Sequence, residues 1–354
     1  MDDRYSRQLA LPGFGREQQQ ALASARVLVI GAGGLGSTVI PALAGAGIGT
    51  IGIIDDDRVE LSNLHRQTIH RSADVGRSKA QSAAESVAAL DPAITVRVYD
   101  ERLSAENALD HFTGYDLVID GSDNFPTRYL ANDAAALSGI PLVWGSVSQY
   151  GGQAGVAWAA RGPQYRDLFP VAPPPGSVLS CEDGGVLPPV VATIGSILAT
   201  ETIKILTGLG QPLIGRVTIV DALSGSFREL SYASDPAAEP ITELIDYDLF
   251  CGIGPTLGAA ALASELSAVT LIDVREPWEA EIATIPGATL VPLGRIPEAI
   301  DFLADEPNLV LYCHHGIRSQ QALELLAARG VPARHLDGGI DAWSRLVDST
   351  VARY

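Results

Sequence analysis

RVLVIGAGGLGSTVIPALAGAGIGTIGIIDDD, residues 26–57, is the stretch that decides the fold of the first part of the chain. RVLVI is β-rich, GAGGLG at 31–36 is a glycine loop, GLGSTVIPALAGAG has helical length, and GTIGIIDDD is a second β-rich run. Strand, glycine loop, helix and strand in that order open a doubly wound parallel sheet. The glycines let backbone N–H groups approach phosphates at a helix N-terminus, and Asp55, ending the second strand, offers a carboxylate to ribose hydroxyls. From Val27 to Ile54 the chain carries no charge, which satisfies a membrane span by length alone. Its glycines and Pro41 divide it into short elements, so no membrane segment is expected.

Outward from this unit the alternation continues. SKAQSAAESVAALD (78–91) reads as a helix capped by Ser78, ITVRVYD (94–100) and YDLVIDGSDN (115–124) as strands, NFPTRYLANDAAALSG (124–139) as a helix and PLVWGSV (141–147) as a strand. Beyond Val147 come glycine-punctuated strands, the loop PVAPPPG (170–176) and the apolar helix VVATIGSILATETIKILTG (190–208). RVTIVDAL and SFRELSY then form a closing antiparallel pair. The acidic, proline-interrupted SDPAAEPITELIDYDLFCGIGP (234–255) reads as a linker, giving domains at 1–235 and 256–354 with 236–255 between them. The second domain repeats the alternation in miniature: a strand ending SELSAVTLIDVR, the strand LVLYC (309–313), the helix RSQQALELLAARG with Ala322, Leu325 and Leu326 on one face, then ARHLDGG and the helix GGIDAWSRL. Both domains are of α/β class, the first Rossmann-like with a mixed sheet and the second smaller.

Composition narrows the function. With 47% hydrophobic and 19% charged residues the whole chain is expected to fold, and its 354 residues suffice for two cores. A formal net charge of −18 opposes a nucleic-acid partner, whose phosphates are bound by displacing counterions with Lys and Arg. Three cysteines, Cys181, Cys251 and Cys313, suit a reducing cytoplasm better than a disulfide framework. MDDRYSRQ lacks the apolar core of a signal peptide, so a cytoplasmic location is expected.

The glycine fingerprint taken alone has its usual meaning in a NAD-dependent oxidoreductase. DDDRVELSNLHRQ (55–67), Lys79 and DGSDN (120–124) change that reading. Hydride transfer needs no cation cluster, whereas Arg66 and Lys79 beside a carboxylate at Asp123 suit a metal-bridged triphosphate attacked at its α-phosphorus. Each of these residues singly reads as a surface ion pair. Together with RYSRQ (4–8), VGRSKA (75–80) and SDN (122–124), in order and spacing, they resemble the adenylating domain of the MoeB, ThiF and ubiquitin-activating-enzyme family over residues 4–250.

That resemblance implies that Gly31, Gly33, Gly34, Asp55, Asp57, Ser62, Asn63, Leu64, His65, Arg66, Lys79, Asp123 and Asn124 hold ATP, with Asp123 on Mg²⁺. It further implies a homodimer in which Arg7 reaches the neighbouring subunit's ATP, and a ubiquitin-like sulfur carrier ending in Gly-Gly as the adenylated partner. Relatives hold a structural zinc on two CxxC pairs; this chain has Gln164 and Asp167 at the first and DPAAEP (235–240) at the second, so no zinc is expected. In this loss it resembles zinc-less bacterial MoeZ-like members.

Cys313 ends the strand LVLYC and opens the loop CHHGIRS, whose N–H groups can turn inward around one sulfur and, with the helix N-terminus, steady a sulfur anion. LIDVREPWEAE (271–281), IPGA (285–288), this loop and LDGGIDAW (336–343) resemble a rhodanese domain. The resemblance implies a persulfide on Cys313, supplied by a persulfide or thiosulfate donor, and a loop-closing role for Arg318. His314 and His315 stand where relatives often carry Lys or Arg, and bring only partial charge at neutral pH. Cys181, in SCEDGGV, matches a family cysteine that forms a thioester or disulfide with the activated carrier, and Cys251 reads as packing. The two resemblances together imply the sequence adenylation, attack by the Cys313 persulfide, and resolution by Cys181 to release a thiocarboxylate. The alternatives are thioester-based conjugation through Cys181, a NAD-dependent oxidoreductase, and a non-catalytic carrier-binding scaffold.

Overall fold

The computed structural model describes residues 3–173, 184–251 and 254–354. They divide into two compact units, the first comprising residues 3–172 with 184–247 and the second residues 248–354. Cys181 and the last three residues of PVAPPPG, 174–176, lie outside the described residues.

The first unit is built on an eight-stranded sheet in the order β3-β2-β1-β4-β5-β6-β7-β8. Its strands are β1 (Arg26–Ile30), β2 (Thr50–Ile54), β3 (Thr95–Tyr99), β4 (Leu117–Asp120), β5 (Leu142–Ser148), β6 (Gly151–Ala157), β7 (Arg216–Asp221) and β8 (Ser226–Ser231). β1 to β5 run parallel, and β5 to β8 continue as an antiparallel meander. The parallel strands β1, β2 and β4 are buried almost throughout, which is why they read as continuous apolar runs rather than alternations.

The helix Gly34–Ala46 carries Pro41 in its interior instead of breaking there, and ends on Gly47 at φ 87°. It packs against the long helix Pro188–Thr207, where a Cβ at Gly195 would lie 2.7 Å from Thr38 Cβ, so glycine permits the close approach. Pro188–Thr207 is long and apolar enough to cross a membrane by composition. Its face Val190, Val191, Ile194 and Leu198, at helical spacing, is instead buried in the core of this unit.

Where the sequence reading begins the linker at 236, the first unit continues to Tyr247. The Tyr247 hydroxyl donates to Asp133 at 2.8 Å, and Arg166 Nε and Nη2 donate to the same buried carboxylate at 2.7 and 2.6 Å. Asp167 accepts from the backbone N–H groups of Gln164 and Asp235 at 2.7 and 2.9 Å. These bonds tie the segments at 164–167 and 235–247 to the helix Phe125–Ser138.

The second unit holds a five-stranded parallel sheet, β11-β10-β12-β13-β9, from β9 (Thr256–Leu257), β10 (Thr270–Asp273), β11 (Thr289–Leu290), β12 (Leu309–Tyr312) and β13 (Ala333–Leu336). Apolar clusters cover both faces, one including Cys313, Ala322 and Leu326 and the other Trp343 and Ile340. On the helix Ile317–Ala327 the buried partner of Ala322 and Leu326 is Leu323, while Leu325 is 38% exposed. The sequence grouped Leu325 with Ala322 and Leu326 on one face; the i, i+1, i+4 stripe 322/323/326 is the one buried in the core, because helix rotation is set by the neighbours it packs on.

Candidate functional site

In the first unit strand order reverses between β1 and β4, and the loops following β1, β2 and β4 meet at one edge of the parallel sheet. Gly31 has φ 88°, and a Cβ there would stand 3.1 Å from the Gly121 carbonyl oxygen, so glycine is required for the glycine loop to lie against the 121–123 loop. Gly33 and Gly34 begin the helix whose N-terminal N–H groups face outward from this edge. The stem of Arg66 runs beside Gly34, its Cγ 3.9 Å from where a Cβ would be. Asp123 is exposed on the loop after β4.

Asp55 follows β2 directly and accepts from the N–H groups of Ala32 at 2.7 Å and Asp57 at 2.9 Å. Burial pushes its carboxyl up to about 6, against the Ala32 N–H and the Lys79 charge, which oppose the rise. Lys79 is buried, and its Nζ lies 2.8 Å from Asp57 Oδ2. Asn63 is buried; Ser62 and His65 are exposed and joined by His65 Nδ1 to the Ser62 carbonyl at 2.9 Å, with Leu64 between them half-buried. Asn124 Oδ1 accepts from Thr127 N–H at 2.9 Å, so its carbonyl caps the helix Phe125–Ser138. Arg7 is exposed on the short helix Ser6–Leu9.

The sequence reading missed residues that hold this edge in shape. Buried Arg128 donates through Nη2 to the carbonyls of Ser122 at 2.9 Å and Gly145 at 3.2 Å, and through Nε to Asp120 at 3.3 Å. Asp120 Oδ1 also accepts from Ser122 N–H, fixing the loop that carries Asp123. His70 is buried between the Ala32 carbonyl and Ser82 Oγ, both at 2.9 Å, which fastens the glycine loop to the helix Lys79–Leu90. Nothing local distinguishes Arg128 or His70 from ordinary surface residues; their partners are far away in sequence.

The Asp55 environment gives a pH prediction. A carboxyl raised to about 6 takes up a proton as pH falls through that value and loses acceptor capacity, so binding that uses Asp55 as an acceptor, as the sequence expectation has it for ribose, weakens with it. Adenosine, whose own charge is constant in this range, is expected to bind about tenfold more weakly at pH 5 than at pH 7, one pKa unit being tenfold. Calorimetry checks this. Loss of binding will not reflect unfolding through this group: a raised carboxylate adds stability as pH falls from about 6 toward its ordinary 3.8.

In the second unit Cys313 follows β12 and is 1% exposed. Gly316, at φ 102°, donates its N–H to Cys313 Sγ at 3.1 Å and opens the helix Ile317–Ala327. The Cys313 and His314 carbonyls are turned away from the sulfur, accepting the N–H groups of Ile340 at 2.9 Å and Asp341 at 3.1 Å. A Cβ at Gly339 would stand 2.4 Å from both carbonyl oxygens, which explains the paired glycines of LDGGIDAW. Arg318 donates through both terminal nitrogens to Glu279, Nη2 to Oε1 at 2.6 Å, and this pairing holds the Glu279 carboxyl down to about 2. Glu279 belongs to the helix Pro277–Ile282, so Arg318 clamps the loop's helix to the segment after β10.

His314 stacks between His315, with ring centroids 3.9 Å apart, and Tyr354 at 4.2 Å. Burial and the adjoining His315 hold His314 below the ordinary histidine range, so it contributes less positive charge at neutral pH than the sequence alone suggested. Cys251 is buried. Glu279, Ser319, His335 and Tyr354 are additions that the sequence reading did not single out.

The fold and the two sites together define a chain with a glycine loop at a helix N-terminus on a Rossmann-like sheet and a cysteine loop at a strand end of a second sheet. Residues 5–240 match the ThiF family and residues 258–346 the rhodanese-like domain. The chain belongs to the ThiF family and carries a C-terminal rhodanese-like domain. It is 47% identical to the probable adenylyltransferase/sulfurtransferase MoeZ of Mycobacterium tuberculosis, covering 99% of this chain and 95% of that protein. A sulfur carrier protein adenylyltransferase of Thermus thermophilus is 48% identical over 71% of this chain and 97% of its own length. Among solved structures, Escherichia coli MccB with ATP shares the fold at a TM-score of 0.60 and 20% identity, covering 67% of this chain and 73% of that one.

Proposed function

We propose that this chain is an adenylyltransferase and sulfurtransferase that activates the C-terminal carboxylate of a ubiquitin-like sulfur carrier and converts it to a thiocarboxylate. The observation that carries this reading is one chain holding both the nucleotide edge of Gly31, Asp55, Arg66, Lys79 and Asp123 and the thiol loop of Cys313, matched along 99% of its length by a relative named for both activities.

In this reading the glycine-loop N–H groups and Arg66 receive the triphosphate, Asp55 binds ribose, and Lys79 offsets charge as the carrier carboxylate attacks the α-phosphorus and pyrophosphate leaves. Ser62, Asn63, Leu64, His65, Asp57 and Asn124 shape the same site, and Arg7 serves the ATP of a second subunit in a homodimer. An exposed carboxylate on a loop pinned by Arg128 and Asp120 fits Mg²⁺, which is commonly bound by one or two carboxylates plus substrate phosphates. When bound, Mg²⁺ supplies neutralising charge to the phosphates. In the second unit the Gly316 N–H and the clamped Arg318 hold Cys313 for persulfide formation. Cys181 resolves the carrier–Cys313 intermediate. The enzyme works in the cytoplasm.

The segments that relatives join through zinc are joined here by Asp133, Arg166 and Tyr247 and by Asp167 with the Asp235 N–H, and we assign no zinc to them. Stoichiometric zinc in metal analysis of the purified chain would overturn this. The activity itself is tested by intact-mass spectrometry of Gly-Gly carriers incubated with the chain, MgATP and a sulfur donor. Replacement of one oxygen by one sulfur supports the reading; a carrier that is never modified, or that becomes linked to other proteins, overturns it.

A further inference from the structure

Cys313 faces a polar side chain at the end of its own loop, where the helix begins. Ser319, on the first turn of the helix Ile317–Ala327, places its buried hydroxyl 3.6 Å from Cys313 Sγ, 2.9 Å from the Gly316 carbonyl oxygen and 3.2 Å from His335 Nδ1. His335 lies on β13, whose alternation sends Ala333 and His335 to the face covered by this helix. It is 4% exposed, and its Nε2 has no hydrogen-bond partner among the described residues. A histidine buried at this depth with one nitrogen unsatisfied is expensive to keep as packing alone.

We infer that Ser319 and His335 form a proton relay for Cys313, resting on the reading of Cys313 as the persulfide carrier. With the thiol protonated, Sγ–H donates to Ser319 Oγ and Ser319 O–H donates to His335 Nδ1. On ionisation the thiol proton passes to Ser319 as the serine proton passes to Nδ1, so the chain of donors reverses and Ser319 O–H donates to the sulfur anion. The thiolate then attacks the outer sulfur of the donor: the Sγ–S bond forms, the donor's S–S bond breaks, and its thiolate or sulfite leaves with the electron pair. The proton stays on His335 opposite the persulfide anion, and returns through Ser319 when Cys313 is discharged.

The surroundings suit a transient charge. Burial lowers the His335 pKa while Asp337, beyond the end of its strand, opposes this, so the ring is neutral and able to accept at rest. The other charged groups near the sulfur are Arg318 and Glu279, paired to each other, and the His314 and His315 rings. Ser319 touches the reacting atom; His335 acts through it and is a positioning and relay residue.

The test is peptide-resolved alkylation of Cys313 by iodoacetamide in the full chain from pH 6 to 10. His335→Asn keeps an amide near the Nδ1 position but cannot hold a proton, and Ser319→Ala breaks the chain of bonds. Each is expected to slow alkylation at pH 7 about tenfold, equal to a one-unit shift of the profile, with no further loss in the double variant and with the deficit closing at high pH. Ser319→Thr retains the hydroxyl and is expected to stay within about twofold of the parent. A parent-like rate in His335→Asn, or a deficit that is the same at every pH, overturns the relay. ATP–pyrophosphate exchange, unchanged in all variants, reports an intact first unit. Because alkylation needs neither carrier nor donor, failure of the relay is distinguishable from failure of the persulfide assignment, which the carrier mass assay reads separately.

Discussion

Cys313→Ala is expected to abolish thiocarboxylate formation, by about a thousandfold or more, while leaving carrier-dependent ATP–pyrophosphate exchange near its original rate. The first unit has its own core and its own nucleotide edge, and the hydrogen bonds described for Asp55, Lys79 and the Asp123 loop are made within that unit. The sulfur-bearing atom, by contrast, has no substitute within its loop: the Gly316 N–H and the Ser319 hydroxyl both converge on Sγ. Removing the nucleophile leaves the rest of the loop geometry in place, since its carbonyl contacts are made by backbone to Ile340 and Asp341. Intact-mass spectrometry of the carrier and radiolabelled pyrophosphate exchange, run on the same preparation, check both halves. Loss of exchange along with sulfur transfer, or sulfur transfer that persists, would contradict the division of labour.

Arg66→Ala has the second largest expected effect, in the other unit. Its aliphatic stem lies beside Gly34 at the N-terminus of the helix Gly34–Ala46, and the proposed function assigns its guanidinium to the phosphates. Loss of one preorganised donor to a developing charge costs about 10²–10³ in rate, roughly 3–4 kcal/mol. Adenylate formation is therefore expected to fall by that factor, with a smaller change in nucleotide affinity because backbone N–H groups and Asp55 remain. Arg66→Lys should recover only part of it, since a point charge cannot reproduce the planar fork. Single-turnover adenylation alongside equilibrium nucleotide binding separates the two effects. Equal losses in rate and affinity would assign Arg66 to ground-state binding.

Lys79 illustrates why Arg66 is the cleaner probe. It is buried and paired with the exposed Asp57 at 2.8 Å, so its removal empties a packed position and confounds catalysis with stability. Arg128 is still more deeply built in, and its loss would release the 120–123 loop.

Much of the site was legible because its signals are local. The glycine loop, the carboxylate after β2 and the thiol after β12 each sit at a strand end, and strand ends can be read from a few neighbouring residues. Leu323 rather than Leu325 in the core was not legible, since periodicity yields to packing. The segment to Tyr247 looked like linker for the same reason: its composition is acidic and proline-rich, and only the Asp133 carboxylate shows that the first unit retains it.

By itself the sequence determined the alternation of strands and helices around the parallel sheet of the first unit, and it placed the glycine loop and Cys313 at strand ends, all consequences of steric and hydrogen-bonding preferences acting over a few residues. The tertiary structure decided which distant groups meet: His70 with Ala32, Arg128 with Ser122 and Gly145, Arg318 with Glu279, and His335 with Ser319 beside Cys313. Parallel strands need long crossovers, so neighbours across the sheet are remote along the chain. The pairs that hold the reactive groups in place are formed by that topology, and no short window of sequence contains them.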